Sequence, residues 1–360
     1  MSGDANSGFA GTIVEWSALD DRARQAALRR PAQQRSEELT ATVTRIVAQV
    51  RADGDAALRA LTRRFDGCEL SRFAVGPEEF AVAEARLDAA TKRAIDEARA
   101  RIETFHRATA PQALRIETAP GVACERILRP IERVGLYVPA GGAPLPSTAL
   151  MLGVPAQIAQ NPQVVLCTPP NAVGECDAAV LYVAARCGIE HVLKLGGAQA
   201  IAAMAFGTES VPKCDKLFGP GNAWVTEAKR LVAADIDGSA IDLPAGPSEV
   251  LVIADARANP DAVAADLLAQ AEHGPDSQVL LISDNRNLLE SSVRALGAQL
   301  DELPRKAIAA ASLAHARVIL AASIDEAIGI SNAYAPEHLI LNVDLPRRWL
   351  DKVVSAGSVF

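Results

Sequence analysis

The chain has 360 residues, 49% hydrophobic and 22% charged, which suits two or three packed domains and excludes a disordered chain. A formal net charge of −8 with no Lys/Arg run argues against nucleic acid as a partner, since phosphate binding needs a clustered basic face. No stretch approaches the roughly 20 apolar residues of a membrane span, and the polar segment from Met1 to Gly11 reads as a frayed tail and not a signal peptide. A cytoplasmic protein acting on a small molecule is expected.

From Thr12 to about Ala110 the pattern is helical, with Val43, Ile46, Val47 and Val50 at helical spacing and a break at Gly54. Leu114–Glu117 and Ala123–Leu128, separated by Pro120-Gly121, predict a hairpin. From Val134 short apolar runs alternate with helical ones. Strands are predicted at Val134–Val138, Val164–Cys167, His191–Leu195, Lys216–Phe218 and Ala240–Leu243, then at Glu249–Ile253, Gln278–Ile282, Arg317–Leu320 and Leu339–Leu341. Helices are predicted at about Pro260–His273, Leu288–Leu300 and Ile324–Tyr334. Two such βα arrays give an α/β fold with two incomplete Rossmann-like parallel-sheet domains in tandem and a helical N-terminal region.

Four Gly-rich turns follow or precede these strands: Pro139–Gly142, Gly196-Gly197, Gly219–Asn222 and Pro244–Ser248. Ligands are expected beyond the C-terminal strand ends, where backbone can approach them closely. The G-x-G-x-x-G fingerprint of an ordinary nicotinamide-binding domain is absent. Asn259-Pro260 starts a helix and Gly274-Pro275 stops it, so Gln270 and His273, three apart, present a carbonyl oxygen and an imidazole to one point. That pair is either a polar helix cap or half of a metal site, because zinc takes about four donors. Glu337-His338 at a strand entrance offers two general bases, or an exposed Glu beside a partly buried His. Six cysteines carry no Cys-x-x-Cys pair and read as reduced core residues. Cys167, at a strand end, is the one thiol placed as a nucleophile could be, with no base beside it in sequence.

The strings VGLYVP (134–139), APLPST (143–148), KLGGAQAIA (194–202), FGPGN (218–222), PAGPSE (244–249), QAEHGP (270–275) and APEH (335–338) together resemble histidinol dehydrogenases, from about Arg133 to Phe360. The resemblance implies oxidation of L-histidinol to histidine through an aldehyde, with two NAD⁺ reduced in succession. It implies Glu337 and His338 as the catalytic pair, Gln270 and His273 as zinc ligands that also touch substrate, and Ser248 and His338 as substrate contacts. Tyr137, Gln199 and Asn222 are implied to line the NAD site, and the assembly is implied to be an exchanged homodimer. The domains expected are an N-terminal helical extension (1–30), a first Rossmann-like domain carrying catalysis and metal (31–133 plus 244–360), and a second that binds NAD (134–243). Family members continue past a segment like the one ending at Phe360 with an Asp and a His ligand, so weak or absent zinc and impaired activity are expected of a chain ending there. Two other readings stay open: a non-catalytic NAD- or imidazole-binding protein of the same fold, and a thiol-dependent aldehyde dehydrogenase.

Overall fold

The computed structural model describes residues 11–30, 37–140, 145–243 and 246–360. Parts of the predicted tail and of the turns at Gly141-Gly142 and Pro244-Ala245 lie outside the described residues. In chain order come β1 (Ile13–Glu15), α1 (Asp21–Ala27), α2 (Glu37–Phe65), α3 (Pro77–Arg86), α4 (Ala89–Thr109), β2 (Leu114–Ala119) and β3 (Val122–Arg126). A βα array follows: β4 (Arg133–Tyr137), α5 (Pro146–Ile158), β5 (Gln163–Thr168), α6 (Ala178–Arg186), β6 (His191–Lys194), α7 (Gly197–Phe206), β7 (Lys216–Phe218), α8 (Ala223–Ala234) and β8 (Ala240–Ile241). The second array is β9 (Glu249–Ala254), α9 (Pro260–Ala271), β10 (Gln278–Ser283), α10 (Arg286–Glu302), α11 (Lys306–Leu313), β11 (Arg317–Leu320), α12 (Ile324–Tyr334), β12 (His338–Asn342) and β13 (Ser358–Val359).

The described residues divide into two compact units, one from 1–34 with 246–360 and one from 35–245. The first holds a parallel sheet in the order β1-β11-β10-β9-β12-β13. Its central strand, β9, is buried at all six positions. Alternation along β9 sends Val250, Val252 and Ala254 into one core and Leu251 and Ile253 into the other, so helices must cover both faces. The second unit holds the parallel sheet β6-β5-β4-β7-β8 and the separate antiparallel hairpin β2-β3.

Two domain expectations are corrected. Residues 31–133 were expected beside 244–360, but Val43, Ile46, Val50, Leu58 and Leu61 of α2 share a core with Ile201 and Met204 of α7, and Ile95 of α4 shares one with Val134 and Leu136. The described helical segment therefore belongs with the five-stranded sheet, because that is where its apolar stripes are buried. The expected extension over 1–30 is not purely helical, since β1 pairs in parallel with β11 and completes the six-stranded sheet. Gly54 does bend α2, at φ +52°, and Glu209 accepts from the Asp55 N–H at 2.8 Å where the second half restarts.

Candidate active site

The six-stranded unit gathers its chemistry at the N-terminal ends of its strands. Gln278 is in register with Glu249, and His338 with Val250, so Glu249, Gln278 and the Glu337-His338 pair lie abreast where β9, β10 and β12 begin. This differs from the expected C-terminal edge. The order of elements explains it: α12 ends at Tyr334, Ala335 takes the left-handed conformation at φ +56°, and the chain turns directly into β12. The αL residue reverses the chain within one turn, which leaves Glu337 exposed and His338 partly buried at the strand entrance.

Glu249 ties these residues together. Its carboxylate accepts from the Glu337 N–H at 3.2 Å, and its own N–H donates to Glu337 Oε2 at 3.3 Å. His338 Nδ1 lies 3.0 Å from the Glu249 carbonyl oxygen and 3.6 Å from Glu337 Oε2. A carbonyl can only accept, so Nδ1 carries the hydrogen, and in the neutral imidazole Nε2 keeps its lone pair. The ring also stacks on Phe360, with centroids 6.1 Å apart. Behind this layer the Arg30 guanidinium grips the Glu249 carboxylate at 2.7 and 2.6 Å, and the Tyr334 hydroxyl donates to it at 2.6 Å. The Glu249 hydrogen bond holds the Arg30 pKa above its ordinary value, and burial together with Glu249 pushes the Tyr334 phenol up. Sequence reasoning assigned no role to Arg30, Glu249 or Tyr334. The one local signal was a carboxylate opening an otherwise apolar strand, EVLVIA.

Gln270 and His273 reach the same edge by another route. The β9-α9-β10 crossover joins adjacent parallel strands, so α9 must return to the N-terminal side of the sheet, and both residues fall in its last turn or just past it. The helix stops at Ala271, two residues earlier than expected, and His273 lies in the following turn with its N–H donating to the Gln270 carbonyl at 3.2 Å. Gln270 is buried, and its side-chain nitrogen has no hydrogen-bond partner; buried amides are normally paired, so this group fits a bound ligand. Ser248, immediately before β9, is half-buried and accepts the Gln278 N–H at 3.4 Å. Among the described residues no group of three or more His, Cys, Asp or Glu side chains is arranged to hold a metal ion. By donor type, the Gln270 amide oxygen and the His273 imidazole would fill two positions of a zinc sphere without completing the usual four, while the unpaired Gln270 amide nitrogen can only donate to a ligand.

The five-stranded unit places Tyr137, Gly196-Gly197 and Gly219–Asn222 at or just beyond the C-terminal ends of its strands. Its order reverses between β4 and β7, a topological switch point, and Tyr137 ends β4 there. Gln199 lies in the first turn of α7, and Asn222 caps α8 by accepting from the Trp224 and Val225 N–H groups at 3.1 and 3.2 Å. Helix N-termini concentrate N–H groups and positive dipole where a dinucleotide's phosphates can sit. At Gly219, φ +128°, an added Cβ would lie 2.2 Å from the Tyr137 carbonyl oxygen, so glycine alone permits the close crossing at this crevice. Lys229 and Asp242 pair beneath the turn, with Asp242 accepting the Gly219 N–H at 2.9 Å and Lys229 donating to the Gly219 carbonyl at 2.9 Å. Tyr137 and Gln199 are both buried. The Tyr137 hydroxyl accepts the Gly197 N–H at 2.9 Å, and burial pushes its pKa up to about 12. Cys167 is fully buried, and burial pushes its thiol well above the ordinary range, the opposite of an activated nucleophile.

A parallel-sheet unit with a cofactor-type crevice and a second with paired bases are the parts of a nucleotide-dependent α/β oxidoreductase. The histidinol dehydrogenase family profile matches residues 28–360. A histidinol dehydrogenase of Xanthomonas euvesicatoria pv. vesicatoria is 59% identical over 348 residues, covering 97% of this chain and 80% of that relative. One from Xylella fastidiosa is 56% identical over 348 residues, with the same coverage of 97% and 80%. The crystal structure of the histidinol dehydrogenase of Elizabethkingia anophelis superposes with a TM-score of 0.91 at 46% identity, over 95% of this chain and 78% of that one. The chain belongs to the histidinol dehydrogenase family. It is an NAD-dependent oxidoreductase of histidine biosynthesis, and membership implies the use of NAD and zinc.

Proposed function

We propose that Glu337 and His338 are the catalytic pair for oxidation of L-histidinol to L-histidine through histidinaldehyde, with two NAD⁺ reduced per substrate. The observation that supports this best is the fixed His338 ring, whose bare Nε2 is ready to take the alcohol proton as hydride departs to NAD⁺. Glu337, exposed beside it, activates the water that hydrates the aldehyde. His338 then removes a proton from the resulting gem-diol for the second hydride transfer. Ser248, Gln270, His273 and His338 contact the substrate. Tyr137, Gln199 and Asn222 line the NAD site, with Asn222 holding the α8 N-terminus for the cofactor's phosphates and Tyr137 holding the Gly197 turn. Zinc, held in part by Gln270 and His273, would orient the imidazole and amino groups of the substrate.

Two further expectations belong to the same proposal. A homodimer is supported by the hairpin, whose Leu114, Ile116 and Val122 are about half exposed, since an isolated two-stranded ribbon has marginal stability in water. A cytoplasmic location is supported by six free cysteines, five of them buried. Among the described residues no helix is long and apolar enough to cross a membrane.

The test is absorbance of NADH on addition of L-histidinol, with zinc measured by elemental analysis. Two NADH per histidinol are expected, with turnover kept in Cys167→Ala and zinc content lowered in His273→Asn. A Cys167→Ala enzyme without turnover, or zinc content unaltered in His273→Asn, would overturn the respective assignment.

A further inference from the structure

We propose that Glu249 is the positioning residue of the active site, and that Arg30 and Tyr334 act through it. This rests on the assignment of Glu337 and His338 as the catalytic pair. Glu337 is exposed on the short turn after α12 and His338, partly buried, opens β12 directly behind it, yet general base catalysis needs both held to a fraction of an ångström. Glu249 supplies that constraint from an element that cannot shift, the fully buried central strand β9.

The side chain, the N–H and the carbonyl of Glu249 all contact the candidate bases. Its carboxylate holds the Glu337 backbone N–H at 3.2 Å. Its N–H restrains the Glu337 carboxylate at 3.3 Å, and its carbonyl receives the His338 Nδ1–H at 3.0 Å. The carboxylate is itself buried and oriented by the two Arg30 bonds and the Tyr334 hydroxyl. Arg30 continues the brace: its Nη2 donates to the carbonyls of Tyr334 and Ala335 at 3.0 Å each, and its guanidinium lies 4.3 Å from the centre of the Tyr334 ring. These are the last helical residue and the left-handed residue that turns the chain into Glu337. One arginine therefore fixes both ends of the connection, the carboxylate on β9 and the turn before β12. A fork-shaped cation suits this double grip, whereas a lysine ammonium offers no matching planar fork.

The consequence for catalysis is a single His338 tautomer. Loosening the turn lengthens the Nδ1 to Glu249 carbonyl contact and lets the hydrogen move to Nε2, which converts the base into a donor aimed at the substrate. In Glu249→Gln the shape is kept, but the amide NH₂ faces an Arg30 N–H in either orientation, donor against donor, and in one of them the Glu337 N–H as well.

The experiment pairs steady-state kinetics with ¹⁵N NMR of the histidine side chains in the full chain, His338 being assigned by the loss of its signals in His338→Asn. The wild-type His338 is expected as the Nδ1–H tautomer. Glu249→Gln is expected to lower kcat about 100-fold, with KM for NAD⁺ unchanged and the His338 signals split between tautomers. Arg30→Lys, at a half-exposed side chain that leaves the core intact, is expected to shift both readouts in the same direction by a smaller amount. An Nε2–H tautomer in the wild type overturns the proposal, as do wild-type kcat and an unsplit tautomer in both variants. Glu337→Gln and His338→Asn are run alongside. If these two keep full activity, the catalytic assignment fails; if they lose it while Glu249→Gln and Arg30→Lys do not, the positioning role alone fails.

Discussion

Burial alone pushes the Asp66 carboxyl up to about 6 from its ordinary 3.8, and its Oδ2 has no hydrogen-bond partner. The fold thus favours the neutral acid. Between about pH 4 and pH 6 the native chain binds more protons than the unfolded one, so this group lowers stability as pH rises through that window. At one pKa unit per 1.36 kcal/mol the shift corresponds to at most about 3 kcal/mol. Asp66→Asn should raise the melting temperature at pH 7.5 and leave it nearly unchanged at pH 4; a lower melting temperature at pH 7.5 would contradict the reading. Individual residues were legible in sequence where the partner is local. Gln270 and His273 declare a shared end of one helix by their spacing, and Asn259 declares a cap, whereas the Asn222 cap emerges only from the structure. Glu249 did not declare itself, because its partners lie 219 positions before it in Arg30 and 88 after it in Glu337.

Elements with strong start signals began where the sequence put them, as with α9 after Asn259-Pro260 and β9 at Glu249, while the end of α9 falls two residues short. β1 and β13, three and two residues long, were not legible, since so short a run has no periodicity and exists only through pairing with β11 and β12. The candidate bases stand at the strand entrance that the sequence indicates, whereas the general expectation of ligands beyond C-terminal strand ends does not hold for the six-stranded sheet. The rule for open sheets favours C-terminal ends, but here Gly246–Ser248, the α9–β10 connection and the α12–β12 turn all lead into the N-terminal ends. At the element scale Gly219 gives the sharpest test. Gly219→Ala puts a Cβ against the Tyr137 carbonyl at a φ that alanine resists, a strain of about 1–3 kcal/mol. NADH fluorescence titration should show roughly 5- to 150-fold weaker binding, the range that follows from that energy. Unchanged affinity would remove this turn from the cofactor site.

For the whole molecule, sequence reading recovered two tandem parallel-sheet arrays but joined the helical third to the wrong one. Periodicity shows that a helix has an apolar face and not which sheet buries it, and the shared core of α2 with α7 settled the matter. The exposed apolar hairpin makes assembly measurable: light scattering should give twice the 37.8 kDa chain mass, and replacing Leu114 and Ile116 together by Ser should shift the population toward monomer. A monomer at micromolar concentration in the unaltered protein would remove the dimer from the proposal. The account as a whole turns on the base at the entrance of β12. Its most direct test is kcat of His338→Asn for L-histidinol, with NADH binding measured on the same sample. A fall of about 10²- to 10⁴-fold in kcat with NADH affinity retained is the predicted result, and turnover at the wild-type rate would contradict it.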